Sequence, residues 1–202
     1  MDFNRLSDFL FEALSLKRTP RTGYQFLGKG KENVAQHSFG VSVISYTLGA
    51  LARTQGIELN MERLLTLSIF HDLAEARTGD LNYMNKRYVT SFENEAYSDA
   101  ILGLPFEDSL ASIRKEWDES LTMEAQLARD ADQLDMLAEL ARMSAHGFHN
   151  ADEWIKYAKM RLKTDIAKGL CEALVLRDPD GWWFLKKDEY WVNPQREKDP
   201  KD

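Results

Sequence analysis

The chain has 202 residues, 44% of them hydrophobic, with one cysteine and a formal net charge of −7. That length fits one domain with a buried core, and the lone Cys171 excludes an internal disulfide or a multi-cysteine zinc site. The acidic balance argues against broad nucleic-acid binding, which needs a basic face toward phosphates, and no run approaches the roughly 18 apolar residues of a membrane span.

The N-terminus, M-D-F-N-R-L-S-D-F, carries acids where a secretory signal has a basic head and an apolar run, so a cytoplasmic location is expected. Phe3, Leu6, Leu10, Ala13 and Leu14 recur at three- and four-residue intervals and predict a first helix. A second is expected from about Val34 to Arg53, with Val41, Ile44, Leu48 and Leu51 on its apolar side. The third runs from Asn60, a good N-cap, to Gly79, a good stop. Shorter helices fit residues 91–102 and 106–119, and Thr122 caps a sixth. Asn150, with Glu153 three residues on, has capping-box spacing for a long seventh helix over about 151–176. Cys171 falls inside that run and reads as a buried thiol. The stretch S-A-H-G-F-H-N-A-D reads as a loop with Gly147 as a stop, so His146 and His149 are not taken as metal ligands.

Strand-like alternation appears only in W-W-F-L-K-K-D-E-Y-W-V, after the turn signal D-P-D-G. The expected fold is all-α: one bundle of six to seven helices over residues 1–178, then a short aromatic extension over 179–202. Trp182, Trp183, Phe184, Tyr190 and Trp191 of that extension are expected to pack on the domain or a second subunit, and the last eight residues to fray.

Residues 69–80, I-F-H-D-L-A-E-A-R-T-G-D, set an imidazole and a carboxylate, His71 and Asp72, at the edge of an apolar helix stripe. His37 opens the second helix in E-N-V-A-Q-H-S-F, and L-A-R-D-A-D-Q-L-D in the sixth offers Asp130, Asp132 and Asp135. Imidazole mixed with carboxylate suits Mn, Co, Fe or Zn as a divalent ion, and two of each leave positions open for water. Asp132 shares a helix face with Leu121, Ala125, Ala128 and Met136, so it points inward; Asp135 lies near that face as well.

Glu75 follows His71 by four residues and Asp72 by three, so its carboxylate rises over the same face. That is where a general base or water-orienting group belongs. Between Glu12 and Glu32 the chain carries Lys17, Arg18, Arg21, Lys29 and Lys31 and no acid, a local asymmetry suited to a phosphate. Guanidinium grips phosphate bidentately where ammonium does not, which favours Arg18 and Arg21.

These blocks resemble the HD-domain metal-dependent phosphohydrolases, whose signature H…HD…D appears here as His37, His71–Asp72 and an aspartate of the sixth helix. The match is closer to the 5′-deoxynucleotidase-like branch, in L-K-R-T-P-R-T-G-Y, E-N-V-A-Q-H-S, F-H-D-L-A-E-A-R-T-G-D and E-A-Q-L-A-R-D-A-D-Q-L-D, in that order from about residue 5 to 145. The resemblance selects Asp132 as the fourth ligand of a single divalent transition metal ion (Co, Mn, Zn or Fe). It adds Asp80 to Glu75 as a second catalytic acid and favours Arg18 for the phosphate. Some bacterial members carry tryptophan where this chain has Thr19, a ring that excludes a ribose 2′-hydroxyl. Phosphomonoester hydrolysis therefore follows from the resemblance more directly than deoxyribose selectivity does.

The function expected is hydrolysis of nucleoside 5′-monophosphates, 2′-deoxy ones foremost, by a homodimer with no nucleic-acid or membrane partner. The alternatives are an HD phosphohydrolase for a nucleoside triphosphate or an alarmone, and a metal-stabilised binding module without turnover.

Overall fold

Side-chain caps mark where several of the helices begin. Asp2 accepts the N–H groups of Asn4 and Arg5 at the head of α1, Phe3–Leu14. A reciprocal box between Asn33 and Gln36 starts α2, Val34–Thr54, and Asn60 caps α3, Met61–Phe70. The computed structural model describes residues 2–27 and 32–183. After α3 come α4 (Glu75–Thr78), α5 (Glu93–Ile101) and α6 (Glu107–Glu119). Ser120 closes α6 in the left-handed region at φ 51°. Thr122 caps α7, Met123–Ala145, and α8 (Asn150–Lys159) and α9 (Asp165–Leu176) complete the set. Lysines 29 and 31, the strand-like stretch after Trp183, and Phe184, Tyr190 and Trp191 lie outside the described residues.

The fold is all-helical as expected, but nine α-helices replace six to seven among the described residues. The predicted third helix breaks after Phe70. Leu73, Glu75 and Ala76 donate to carbonyls three residues back, at Phe70, Asp72 and Leu73, so residues 71–74 wind more tightly than an α-helix. The predicted seventh helix also divides. Buried Asp130 on α7 accepts Lys163 N–H, Thr164 N–H and the Thr164 hydroxyl at 2.7–2.8 Å. Thr164 in turn caps α9 through Ala167 N–H. This carboxylate therefore pins the corner between α8 and α9. Nor does Asn150 cap α8: it is the helix's first residue, and Asp152 N–H bonds the His149 carbonyl instead.

The central helix α7 packs against α2, α3, α8 and α9. Val41 and Leu48 of α2, Leu64 and Leu67 of α3, and Leu127, Leu134 and Leu137 of α7 meet there, all fully buried. Each such side chain contributes about 1.5–3 kcal/mol. A second apolar cluster joins Phe9 of α1 to Leu73, Tyr97, Ile101 and Leu110. Cys171 is buried in the main core, as a packing thiol should be. Trp182 is exposed, and His146 reaches Asp180 at 2.9 Å on the surface.

Candidate metal and catalytic site

Three elements converge beside the main core: the first turn of α2, the tight turn after α3, and the middle of α7. They bring His37, His71–Asp72 and Asp132 together. His37 Nε2 lies 3.1 Å from Asp132 Oδ1 and 3.6 Å from Asp72 Oδ2. His71 Nε2 stands 3.0 Å from Asp72 Oδ2, and the two imidazoles meet edge to face at 5.4 Å. One ligand atom each from His37, His71 and Asp72 falls within 4.8 Å of the others.

Each imidazole is held by its other nitrogen. His71 Nδ1 donates to the Ser68 carbonyl at 2.8 Å, and a carbonyl only accepts, so Nδ1 carries a proton and Nε2 is the nitrogen turned to the site. His37 Nδ1 donates to Asp135 Oδ2 at 2.7 Å, which turns its Nε2 toward Asp72 and Asp132. Ser68 is fixed by a buried 2.7 Å contact with Ser45 of α2. Trp117 packs on His71 at 4.9 Å, itself anchored by Arg129 donating twice to its carbonyl.

His37 Nε2, His71 Nε2, Asp72 Oδ2 and Glu75 Oε2 are buried with no hydrogen-bond partner among the described residues. Leaving such groups unpartnered costs about 1–3 kcal/mol each. A divalent cation between the two imidazoles and Asp72 relieves three of these penalties at once, and nitrogen mixed with carboxylate is the donor set such an ion takes. The residues fit the ion.

Electrostatics tie the cluster together. Burial alone would lower His37, but Asp132 and Asp135 outweigh it and raise it to about 10. Burial would raise Asp72 and Asp132, yet His71 beside the first and His37 beside the second hold both below the usual carboxylate range. Glu75 goes the other way: burial, then the charges of Asp72 and Asp80, push it up to about 9. Arg21 lies 3.7 Å from both Asp72 Oδ2 and Asp80 Oδ2. Burial works against its charge, but Asp80 and Asp72 hold its pKa above the ordinary arginine value.

Asp80 also anchors the chain around Arg21. Its Oδ2 accepts Thr22 N–H at 3.0 Å, and its carbonyl accepts the Thr22 hydroxyl. Arg21, Asp72, Glu75, Asp80 and Asp132 all line one cavity of about 540 Å³. Arg18 is exposed on a short 3₁₀ turn, Ser15–Arg18, and neither it nor Thr19 is among the cavity-lining residues. Thr19 pairs through its carbonyl with Val34 N–H at the head of α2.

The three aspartates of α7 divide their work. Asp132 faces His37 Nε2, Asp135 holds His37 Nδ1, and Asp130 turns away to the α8–α9 corner. Sequence reasoning missed the support given by Asp135 and by Gly40, and the cavity's aromatic wall of Tyr83, Trp154 and Tyr157. Gly40 carried a readable signal: glycine inside a helix costs about 1 kcal/mol and marks a close approach. Trp154 and Tyr157 stand three residues apart on α8, a spacing that puts them on one face, whereas Tyr83 on its loop carried no signal.

Comparison with known proteins agrees with this geometry. A 5′-deoxynucleotidase of zebrafish (Danio rerio) is 32% identical over 131 residues, 61% of this chain and 62% of the relative. The match thus spans under two thirds of that protein's length. A 5′-deoxynucleotidase of Pasteurella multocida is 29% identical over 143 residues, covering 66% of this chain and 71% of the relative. Among solved structures, a conserved hypothetical protein from Pyrococcus furiosus superposes with a TM-score of 0.71 at 31% identity, over 85% of this chain and 99% of the other. A family model described as HD domain matches residues 13–174. That span contains every helix and turn that carries His37, His71, Asp72 and Asp132, and the chain belongs to the HD domain family.

Proposed function

We propose that the protein is a metal-dependent phosphomonoesterase. It hydrolyses nucleoside 5′-monophosphates, foremost 2′-deoxyribonucleoside 5′-monophosphates, to nucleoside and phosphate. The observation that carries this reading is the placing of buried, unpartnered His37 Nε2, His71 Nε2 and Asp72 Oδ2 beside Glu75 and Arg21 at one cavity. The relatives named as 5′-deoxynucleotidases support the substrate class.

In this reading His37, His71, Asp72 and Asp132 hold one divalent ion of Co, Mn, Zn or Fe. When bound, such an ion supplies Lewis-acid polarisation of the phosphoryl group and acidifies water. Glu75 orients the attacking water and takes its proton. It can do so only as the carboxylate, and positive charge beside Asp72 would offset the burial and repulsion that otherwise keep it protonated. The water oxygen attacks phosphorus in line, the bond from phosphorus to the nucleoside 5′ oxygen breaks, and the proton taken by Glu75 passes to that leaving oxygen to give the nucleoside hydroxyl. Arg21 neutralises the equatorial oxygens, and Asp80 keeps Arg21 in place and serves as the second acid. Arg18 and Thr19, just before Arg21 in the chain, are expected to act on the phosphate only if their segment moves toward the cavity.

Five carboxylates and three cations line the cavity: Asp72, Glu75, Asp80, Asp132 and Glu153 against Arg21, Lys86 and Arg161. Even with one dication added, that acidic balance suits a monophosphate better than a triphosphate, which brings more negative charge to the same carboxylates. We place the catalytic domain at residues 1–178 and the extension at 179–202, in a cytoplasmic homodimer. The test is phosphate release from dAMP, AMP and dATP by metal-stripped protein resupplied with Co²⁺, Mn²⁺ or Zn²⁺. Release from dAMP ahead of dATP is the expected result. Release from dATP alone would favour the triphosphatase reading.

A further inference from the structure

The cavity does not end at the phosphate. At about 540 Å³ it has the size of a small-molecule site rather than an anion hole, and part of its wall is aromatic. Trp154 of α8 and Tyr83, from the loop after α4, both line it. Their rings meet edge to face, with centroids 6.1 Å apart and planes at 84°, and Phe26 tilts against Tyr83 at 6.0 Å. Trp154 is held by packing into the cluster of Tyr24, Leu140 and Met143, whereas Tyr83 keeps 59% of its surface exposed. One ring is therefore preorganised and the other still open to cover.

The charged groups at this end are already engaged. Lys86 lies 3.8 Å from Glu93, Glu153 accepts from Lys156 at 2.7 Å, and Arg161 donates to Gln133 at 3.2 Å. Lys86 and Glu153 are thereby paired with opposite charges, while Arg161 meets only a neutral amide. What such a wall accepts is a flat, uncharged ring.

We infer that Tyr83 and Trp154 form the seat of a planar heteroaromatic base, stacked on one of their faces while the phosphate of the same molecule lies near Arg21. The inference rests on the monophosphate reading above and deepens it. The ligand becomes a nucleotide rather than a simple sugar phosphate, and affinity at the base end comes from ring faces.

Stacking on one aromatic side chain is worth a factor of about 5–150 in affinity. The experiment is calorimetric binding of dAMP and of 2-deoxyribose 5-phosphate to the metal-loaded Glu75→Gln protein. It is repeated with Trp154→Ala, Trp154→Phe or Tyr83→Ala added. The readout is the preference for dAMP over the sugar phosphate. It should fall by about 5–150-fold in the Trp154→Ala background and fall as well with Tyr83→Ala. Trp154→Phe, which keeps a ring, should restore most of it.

An unchanged preference in both alanine variants overturns the proposal, because the base then sits elsewhere. Equal weakening of both ligands also overturns it, since the rings are then only structural. Binding needs no turnover, so this result is separable from the hydrolase reading. Wild-type protein that binds dAMP with the ring-dependent preference but releases no phosphate would sink the hydrolase and leave the base seat standing.

Discussion

Asp135 lies directly over Gly40. A β-carbon at position 40 would stand 1.9 Å from Asp135 Oδ1, while the other oxygen of the same carboxylate accepts His37 Nδ1–H one turn earlier on α2. The missing side chain of the glycine is what lets α7 bring that carboxylate up to the imidazole. A metal-ligating histidine needs such a partner to fix its tautomer and ring plane.

Gly40→Ala should therefore act in two opposed ways. Alanine favours the helix by about 1 kcal/mol, yet its methyl group displaces Asp135 and releases His37. We expect a folded protein with helix content intact and metal affinity reduced about 10–100-fold. Asp135→Asn, which keeps the shape but weakens the acceptor, should lose affinity in the same range. Competition with a chelating dye reads both. Wild-type affinity in both variants would detach Asp135 from the metal site.

Metal-free protein should be sensitive to alkaline pH. The folded pKa of His37, about 10, lies above its ordinary 6.5, and that of Glu75, about 9, lies above 4.5. In both cases the folded state holds its proton more tightly than the unfolded chain. The His37 contribution is fully present below pH 6.5 and is lost as pH rises through 10; the Glu75 contribution is fully present below pH 4.5 and is lost through 9. The Tm of metal-free protein should fall steadily from about pH 6.5 to 10. Loading the ion requires His37 Nε2 to give up its proton, so metal affinity should rise over the same window. A flat Tm profile for the metal-free protein would contradict these shifts.

Arg21 and Arg18 separate two sources of expectation. The family resemblance favours Arg18, but Arg21 is the one that lines the cavity beside Asp72 and Asp80. Arg21→Ala should raise KM for a monophosphate by the equivalent of about 1.5–3 kcal/mol, the usual worth of a charged hydrogen bond. Arg18→Ala should cost less. A larger effect at Arg18 would mean that its side chain swings in to meet the phosphate.

Local signals carried much of the fold and most of the residues that the fold brings together at the candidate site. Asn60 and Thr122 each cap the helix that their sequence context indicated. His37, His71 and Asp72 were readable as scarce histidines beside acids at helix edges. The breaks at residues 71–74 and 160–164 were not, because each depends on something the local sequence does not display. Asp130 draws residues 163 and 164 out of helix from more than thirty positions away. The bond from His37 to Asp135 likewise joins residues 98 apart. An α-helical period assigns three neighbouring aspartates to a rough face, but only packing shows that Asp130, Asp132 and Asp135 serve three different ends.

The central claim is that Glu75 activates water at a metal held by His37, His71, Asp72 and Asp132. The most direct measurement is phosphate release from dAMP together with metal content, in wild type, Glu75→Gln and Asp72→Asn. Glu75→Gln keeps size and hydrogen-bonding reach but removes basicity. It should retain the metal and lose at least about a hundredfold in kcat, within the usual range for general-base assistance. Asp72→Asn should lose the metal and the activity together. Near-full turnover by Glu75→Gln would hand the proton to another group, with Asp80 nearest at hand. Fully loaded wild-type protein that releases no phosphate from any nucleotide would contradict the account outright.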